Sequence, residues 1–198
     1  MMQNKSLPRI IGITGGSGVG KGEACRILAG RGVEIINTDS LAHRIILRGV
    51  SSAYDEVLTE FGSSILGDNG EIDRKKLGAI VFADKSRLAA LSGIVHKYVR
   101  GQCEEIVRLS TGNIIAIDAP ALIEAAMQDM CDDIIGIFAH RDLRIKRIMA
   151  RDGISLDAAE KRIDSQMPDA VLRGYVDIAI DNNGTMQELE EKLCGYFF

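Results

Sequence analysis

The run Gly15-Gly16-Ser17-Gly18-Val19-Gly20-Lys21 lies between a short apolar segment, Ile10-Ile11-Gly12-Ile13, and a helical pattern from Glu23 to Ala29. A buried strand that passes through closely spaced glycines into a helix lets several backbone N–H groups converge without side-chain clashes. The positive end of the helix points at the same spot, so the arrangement suits an anion, above all a phosphate. Gly15, Gly20 and Lys21 fit the spacing G-x-x-x-x-G-K-[ST] of a phosphate-binding loop. The last position departs from it, because Gly22 stands where a hydroxyl is expected. No G-x-G-x-x-G can be read across residues 12–30, which argues against a dinucleotide-binding loop.

The rest of the chain repeats the theme of short apolar runs alternating with helical patterns. Val33–Ile36, Ile114–Ile117, Ile134–Phe138 and Val176–Ile180 read as further strands, three of them followed closely by Asp39, Asp118 and Asp181. Continuous apolar strands are what a parallel sheet covered on both faces requires. Strand–helix alternation with right-handed crossovers gives an α/β fold of three layers. Between about residues 40 and 110 no strand is legible, only helical spacing such as Tyr54, Val57, Leu58 and Phe61, interrupted by a turn-rich stretch from Gly62 to Gly70. That stretch is too long for a plain crossover, and an insertion of this kind suits a second substrate. A second helical stretch, Arg141 to Arg162, is strongly basic, and Thr185 with Glu188 fits a capping box for the last helix.

With 198 residues the chain has room for a single domain carrying an insertion. A net charge of -4 gives no general attraction to nucleic acid or to an anionic membrane. Residues 1–8 lack the apolar stretch of a leader, no apolar run approaches the roughly 20 residues of a span, and a cytoplasmic location is expected. Cys25, Cys103, Cys131 and Cys194 form no C-x-x-C pair, so reduced thiols are expected and not a zinc site.

Longer matches join these features. Gly12–Lys21 resembles the opening G-L-T-G-G-I-G-S-G-K of dephospho-CoA kinases, and Asp39 the second Asp of their D-A-D segment, with Asn37 at the first. Asp73-Arg74-Lys75-Lys76-Leu77 with Val81-Phe82 resembles their D-R-x-x-L…(V/I)-F helix, and Asp118–Glu124 their D-x-P-L-L-F-E. Arg147 to Gly153, Arg162-Ile163 and Gln166-Met167-Pro168 resemble R-x-x-x-R-D-G…R-I-x-x-Q-M-P, and Asp177 with Ile180–Gly184 the closing A-D-x-V-I-x-N-x-G. The chain departs from the family at Gly22, Glu23, Asn37, Lys97 and Ala121.

The resemblance implies a P-loop kinase fold with a parallel five-stranded sheet, a helical acceptor-binding insertion at about 40–110 and a helical lid at about 141–168. It implies transfer of the ATP γ-phosphate to the ribose 3′-hydroxyl of dephospho-CoA, with ATP and Mg²⁺ as cofactors and small-molecule substrates as partners in place of nucleic acid or membrane, the oligomeric state being left open. The ATP-binding residues are then Gly16, Ser17, Gly18, Val19, Gly20, Lys21, Gly22, Glu23 and Arg151. Lys21, Asp39 and Arg147 are the catalytic candidates, and Asp39, Arg74, His96 and Asp118 the acceptor-binding ones. Asp39 accepts or orients the proton of the attacking hydroxyl, or else caps the helix that begins near Ser40. Asp118 holds Mg²⁺ through water, contacts the acceptor, or merely turns the chain into Pro120. Arg147 and Arg151, four apart, share one helix face that suits phosphates, although a basic face is also what solvent favours. At Gly22 two outcomes stay open: water, phosphates and a carboxylate (Asp39, Asp118 or Glu23) hold the metal, or transfer is weakened and nucleotide binding survives. A nucleotide-binding regulatory protein and a kinase for another small hydroxyl acceptor are the competing readings.

Overall fold

The structure, a computed structural model, describes residues 8–197; residues 1–7, read above for a leader, lie outside the described residues. The chain runs β1 (Arg9–Thr14), α1 (Lys21–Gly30), β2 (Glu34–Asn37), α2 (Thr38–Ile45) and α3 (Ala53–Phe61). It continues through α4 (Arg74–Val81), α5 (Lys85–Leu109), β3 (Ile114–Asp118), β4 (Asp133–Phe138) and α6 (Arg141–Asp152). It closes with α7 (Leu156–Asp164), α8 (Asp169–Leu172), β5 (Ile178–Asp181) and α9 (Met186–Phe197).

Two compact units result, one from residues up to Ile36 together with those from Ser110 onward, the other from Asn37–Leu109. The first holds a parallel five-stranded sheet of order β2-β3-β1-β4-β5. In β1, Ile11 lies opposite Ala116 of β3 and Ile13 opposite Ile135 of β4. Placing β1 between β3 and β4 puts the loop after it at the point where the strand order reverses, where open α/β sheets take their ligands. Ile11, Ile13, Ile135 and Ile137 are fully buried and pack with Ala24 and Leu28 of α1 and Leu189 and Leu193 of α9. Truncating any of these isoleucines to Val removes one methylene from a close-packed layer, a cost of about 1 kcal/mol.

The second unit is built mainly of helices, α2 to α5, joined by turns. Val57 and Phe61 of α3, Ile65, Leu77 and Val81 of α4, and Ile94 of α5 form its core. Gly62 (φ 78°) ends α3, and the turn-rich stretch after it closes with a bridge between Leu66 and Ile72.

The structure moves several boundaries that the sequence placed elsewhere. Val33 precedes β2, and β5 begins at Ile178, two residues after Val176. The basic stretch Arg141–Arg162 is not continuous: Gly153, in the left-handed region (φ 65°), ends α6, and α7 starts afresh on Ser155, whose hydroxyl accepts the Ala158 N–H. Ile145 and Ile148 of α6 bury against Ala159 and Ile163 of α7, so the pair has a small core of its own. At the chain's end the Thr185 hydroxyl accepts the Glu188 N–H at 3.2 Å and starts α9.

Candidate active site

The loop after β1 is shaped by its glycines. Gly18 (φ 79°) and Gly20 (φ 94°) occupy backbone conformations that L side chains avoid. A Cβ at Gly20 would also lie 2.3 Å from Nδ2 of Asn182, and one at Gly18 would lie 2.7 Å from the carbonyl oxygen of Arg144. Gly20 is the N-cap of α1 and Lys21 its first residue. The first N–H groups of a helix have no partner within it, so the loop offers donors where the dipole is positive. Lys21 is ion-paired through Nζ to Asp118, with both side chains largely buried. Asp118 ends β3 opposite Ile13 and is 4% exposed, so its carboxylate is held inside the protein beside Lys21. One helical turn beyond Lys21, burial and then the charge of Asp118 push the Cys25 thiol up to about 12. Glu23 is ion-paired with Arg26, which offsets its charge beside the loop.

Arg147 lies against the loop. Its Nη1 donates to the carbonyl oxygens of Gly18 (3.3 Å), Val19 (3.4 Å) and Asn182 (3.2 Å). Asn182, buried just after β5, donates from Nδ2 to the Val19 carbonyl at 2.8 Å. Its own N–H donates to the Phe138 carbonyl at 2.7 Å. Arg151 is exposed and donates twice to Asp152, at 2.7 and 2.9 Å, while Arg162 takes the same carboxylate. The Arg151 guanidinium, helped by Arg162, holds the Asp152 carboxyl down to about 2.

Asp39, Arg74 and His96 belong to the second unit. Asp39 is exposed in the first turn of α2. The reading in which it caps that helix is corrected: α2 starts at Thr38, and the side chain of Asn37 accepts the Ser40 N–H at 2.8 Å. Arg74 is the exposed first residue of α4, whose cap is Asp73, accepting from Lys75 and Lys76 at 2.8 and 3.2 Å. Those two N–H groups, Lys76 first, hold the Asp73 carboxyl below its ordinary value. His96 is half-buried on α5.

Among the described residues no three His, Cys, Asp or Glu side chains gather as a metal cage. A Cβ added at Gly22 would meet nothing within 4 Å. One carboxylate beside the loop lysine and open space at residue 22 fit a hydrated Mg²⁺ carried on phosphate oxygens, the way this cation usually binds.

Sequence reasoning named neither Arg144 nor Asn182 for the site. Asn182 had a signal in the closing motif Ile180–Gly184, whereas Arg144 had only membership of the basic stretch.

A parallel sheet of this order, with a glycine loop running from its central strand into a helix whose first residue is lysine, defines a P-loop nucleotide-binding protein of the small-molecule kinase type. The dephospho-CoA kinase family model matches residues 9–188, and the chain belongs to that family. It is 40% identical to the dephospho-CoA kinase of Geobacter sulfurreducens over 189 residues, covering 93% of this chain and 94% of that one. Among solved structures it matches TT1252 from Thermus thermophilus with a TM-score of 0.82 at 30% identity, over 95% of each chain. It also matches dephospho-CoA kinase from Campylobacter jejuni with a TM-score of 0.68 at 26% identity, over 94% of each chain. No helix among the described residues is long and apolar enough to cross a membrane.

Proposed function

We propose that this chain phosphorylates the ribose 3′-hydroxyl of dephospho-CoA with ATP, the last step of coenzyme A synthesis, and that it works in the cytoplasm. What carries the reading is the glycine loop entering α1 at Lys21, with Asp118 paired beneath it, in a chain matched to the family over residues 9–188.

The acceptor oxygen forms a bond to the γ-phosphorus as the bond from that phosphorus to the β–γ bridging oxygen breaks, and ADP departs. Little covalent chemistry falls to the protein, so alignment and charge neutralisation dominate. The loop residues Gly16 to Glu23 hold the phosphates, apart from the Ser17 N–H, which Gln166 accepts, and the Glu23 N–H, which the Gly20 carbonyl accepts. Lys21 exchanges its pairing with Asp118 for the β- and γ-oxygens. Asp39 takes the hydroxyl's proton. Arg147 and Arg151 neutralise charge on the transferring group and on ADP, while Arg74 and His96 hold the acceptor. Mg²⁺, when bound with the nucleotide, offsets phosphate charge; Asp118 would hold it through water.

The insertion at about 40–110 serves the acceptor, and the lid at about 141–168 serves ATP. A coupled ADP-release assay tests the reading, with dephospho-CoA set against nucleosides and pantothenate derivatives. Dephospho-CoA is expected to stimulate release at least about tenfold over any other acceptor. Equal rates across the panel, or no stimulation, would remove it.

A further inference from the structure

The phosphate loop is gripped from its outer side by the two stems of the lid. Arg144, in α6, is 4% exposed. Its Nε donates to the Ser17 carbonyl at 2.9 Å, its Nη1 to Asp169 at 2.9 Å and its Nη2 to Oε1 of Gln166 at 3.1 Å. Gln166, just after α7, uses that same Oε1 to accept the Ser17 N–H at 2.9 Å. Both backbone polar groups of Ser17 are therefore engaged by side chains from the two ends of the lid. The approach is close enough that a Cβ at Gly16 would lie 2.3 Å from Nη2 of Arg144.

This arrangement is more than a surface ion pair. A guanidinium presents its donors in a fixed fork, so three acceptors on separate segments fix its position and each other's. The acceptors here are the loop itself, the segment after α7 and the start of α8. Peptide groups engaged on the outside of a tight loop cannot rotate freely, and the next N–H groups inherit that orientation.

We propose that Arg144 and Gln166 are positioning residues for the nucleotide. They set the orientation of the peptide groups at Ser17, keep the following N–H groups aimed at the phosphates, and tie the position of the lid to occupancy of the loop. The proposal rests on the reading of the loop as the nucleotide site. A purely structural pair would contribute to folding alone. A positioning pair acts on nucleotide affinity and leaves the acceptor's KM in place.

The test compares Gln166→Ala with Gln166→Glu in the full chain, since Glu keeps the acceptor for both Ser17 and Arg144 and Ala removes it. ADP affinity is measured by titration calorimetry, and KM for ATP and for dephospho-CoA by steady-state kinetics. Gln166→Ala is expected to weaken ADP binding and raise the KM for ATP by about tenfold, the consequence of leaving the part-buried Ser17 N–H without its acceptor. KM for dephospho-CoA is expected to stay within about twofold, and Gln166→Glu to recover ADP affinity to within about threefold of the native chain. ADP affinity unchanged in Gln166→Ala would overturn the proposal. So would a Glu variant no better than the Ala variant, or a KM for dephospho-CoA that rises in step with that for ATP. Failure of the native chain to bind ADP would instead defeat the reading of the loop itself, so the two failures are distinguishable.

Discussion

A Cβ at residue 22 has nothing within 4 Å outside its own helix backbone and chain neighbours, and the backbone there is already helical. Gly22→Ser therefore fits, and supplies the oxygen ligand that the loop lacks. Calorimetric titration of ATP with and without Mg²⁺ is expected to show about a tenfold larger gain from the metal in the variant than in the native chain. Equal gains would mean that residue 22 does not face the metal. Asp118 and Lys21 behave differently, because their side chains are only 6% and 13% exposed. Asp118→Asn strands a buried ammonium, and chemical denaturation of the ligand-free protein is expected to show a loss of about 3 kcal/mol. Saturating ATP should recover part of it by giving Lys21 a new partner. No loss, or a loss that ATP leaves untouched, would contradict that account. The glycines and Lys21 were legible in the sequence because a phosphate loop is a local backbone device. Arg144 was not, because its role comes from meeting Ser17 across 127 positions of sequence.

Among the elements, α6 and α7 carry the clearest electrostatic signature. Asp152, at the end of α6, faces Arg151 and Arg162, and its carboxyl is held down to about 2 from an ordinary 3.8. A carboxyl depressed in the folded state contributes stability above its unfolded pKa and loses it as pH falls through the folded one. The pairing is thus intact across neutral and mildly acid pH and is lost as pH falls from about 4 towards 2. In an NMR titration the Asp152 carboxyl should show a midpoint near 2, rising towards 3.8 in Arg151→Gln. A midpoint unmoved by that substitution would show that Arg151 is not its main partner. The break between α6 and α7 escaped the sequence reading, because Gly153 sits inside a run whose charge pattern continues past it. The strands were read correctly in kind, since Ile114–Ile117 or Ile134–Phe138 leave no room for a polar face. Their starts at β2 and β5 slipped by one and two residues, because Val33 and Val176 extend the apolar pattern beyond the strands' first residues, Glu34 and Ile178.

Across the whole molecule, the alternation of apolar runs and helices was enough to indicate a parallel sheet, but not its order. Adjacency such as β1 between β3 and β4 is settled by crossovers and packing, which leave no local mark in the sequence. The helical character of Asn37–Leu109 was likewise readable from its periodicity, whereas its separate core of Val57, Phe61 and Leu77 needed the fold. The sheet order, the loop and the family match converge on phosphoryl transfer from ATP to one particular hydroxyl. Product analysis tests that claim most directly: the chain is incubated with ATP, Mg²⁺ and dephospho-CoA, and the products are followed by ³¹P NMR and mass spectrometry. The account predicts one ADP formed for each dephospho-CoA consumed, with a single new phosphomonoester on the ribose 3′-oxygen. ADP formed with inorganic phosphate and unchanged dephospho-CoA, or a phosphate on any other oxygen, would contradict it.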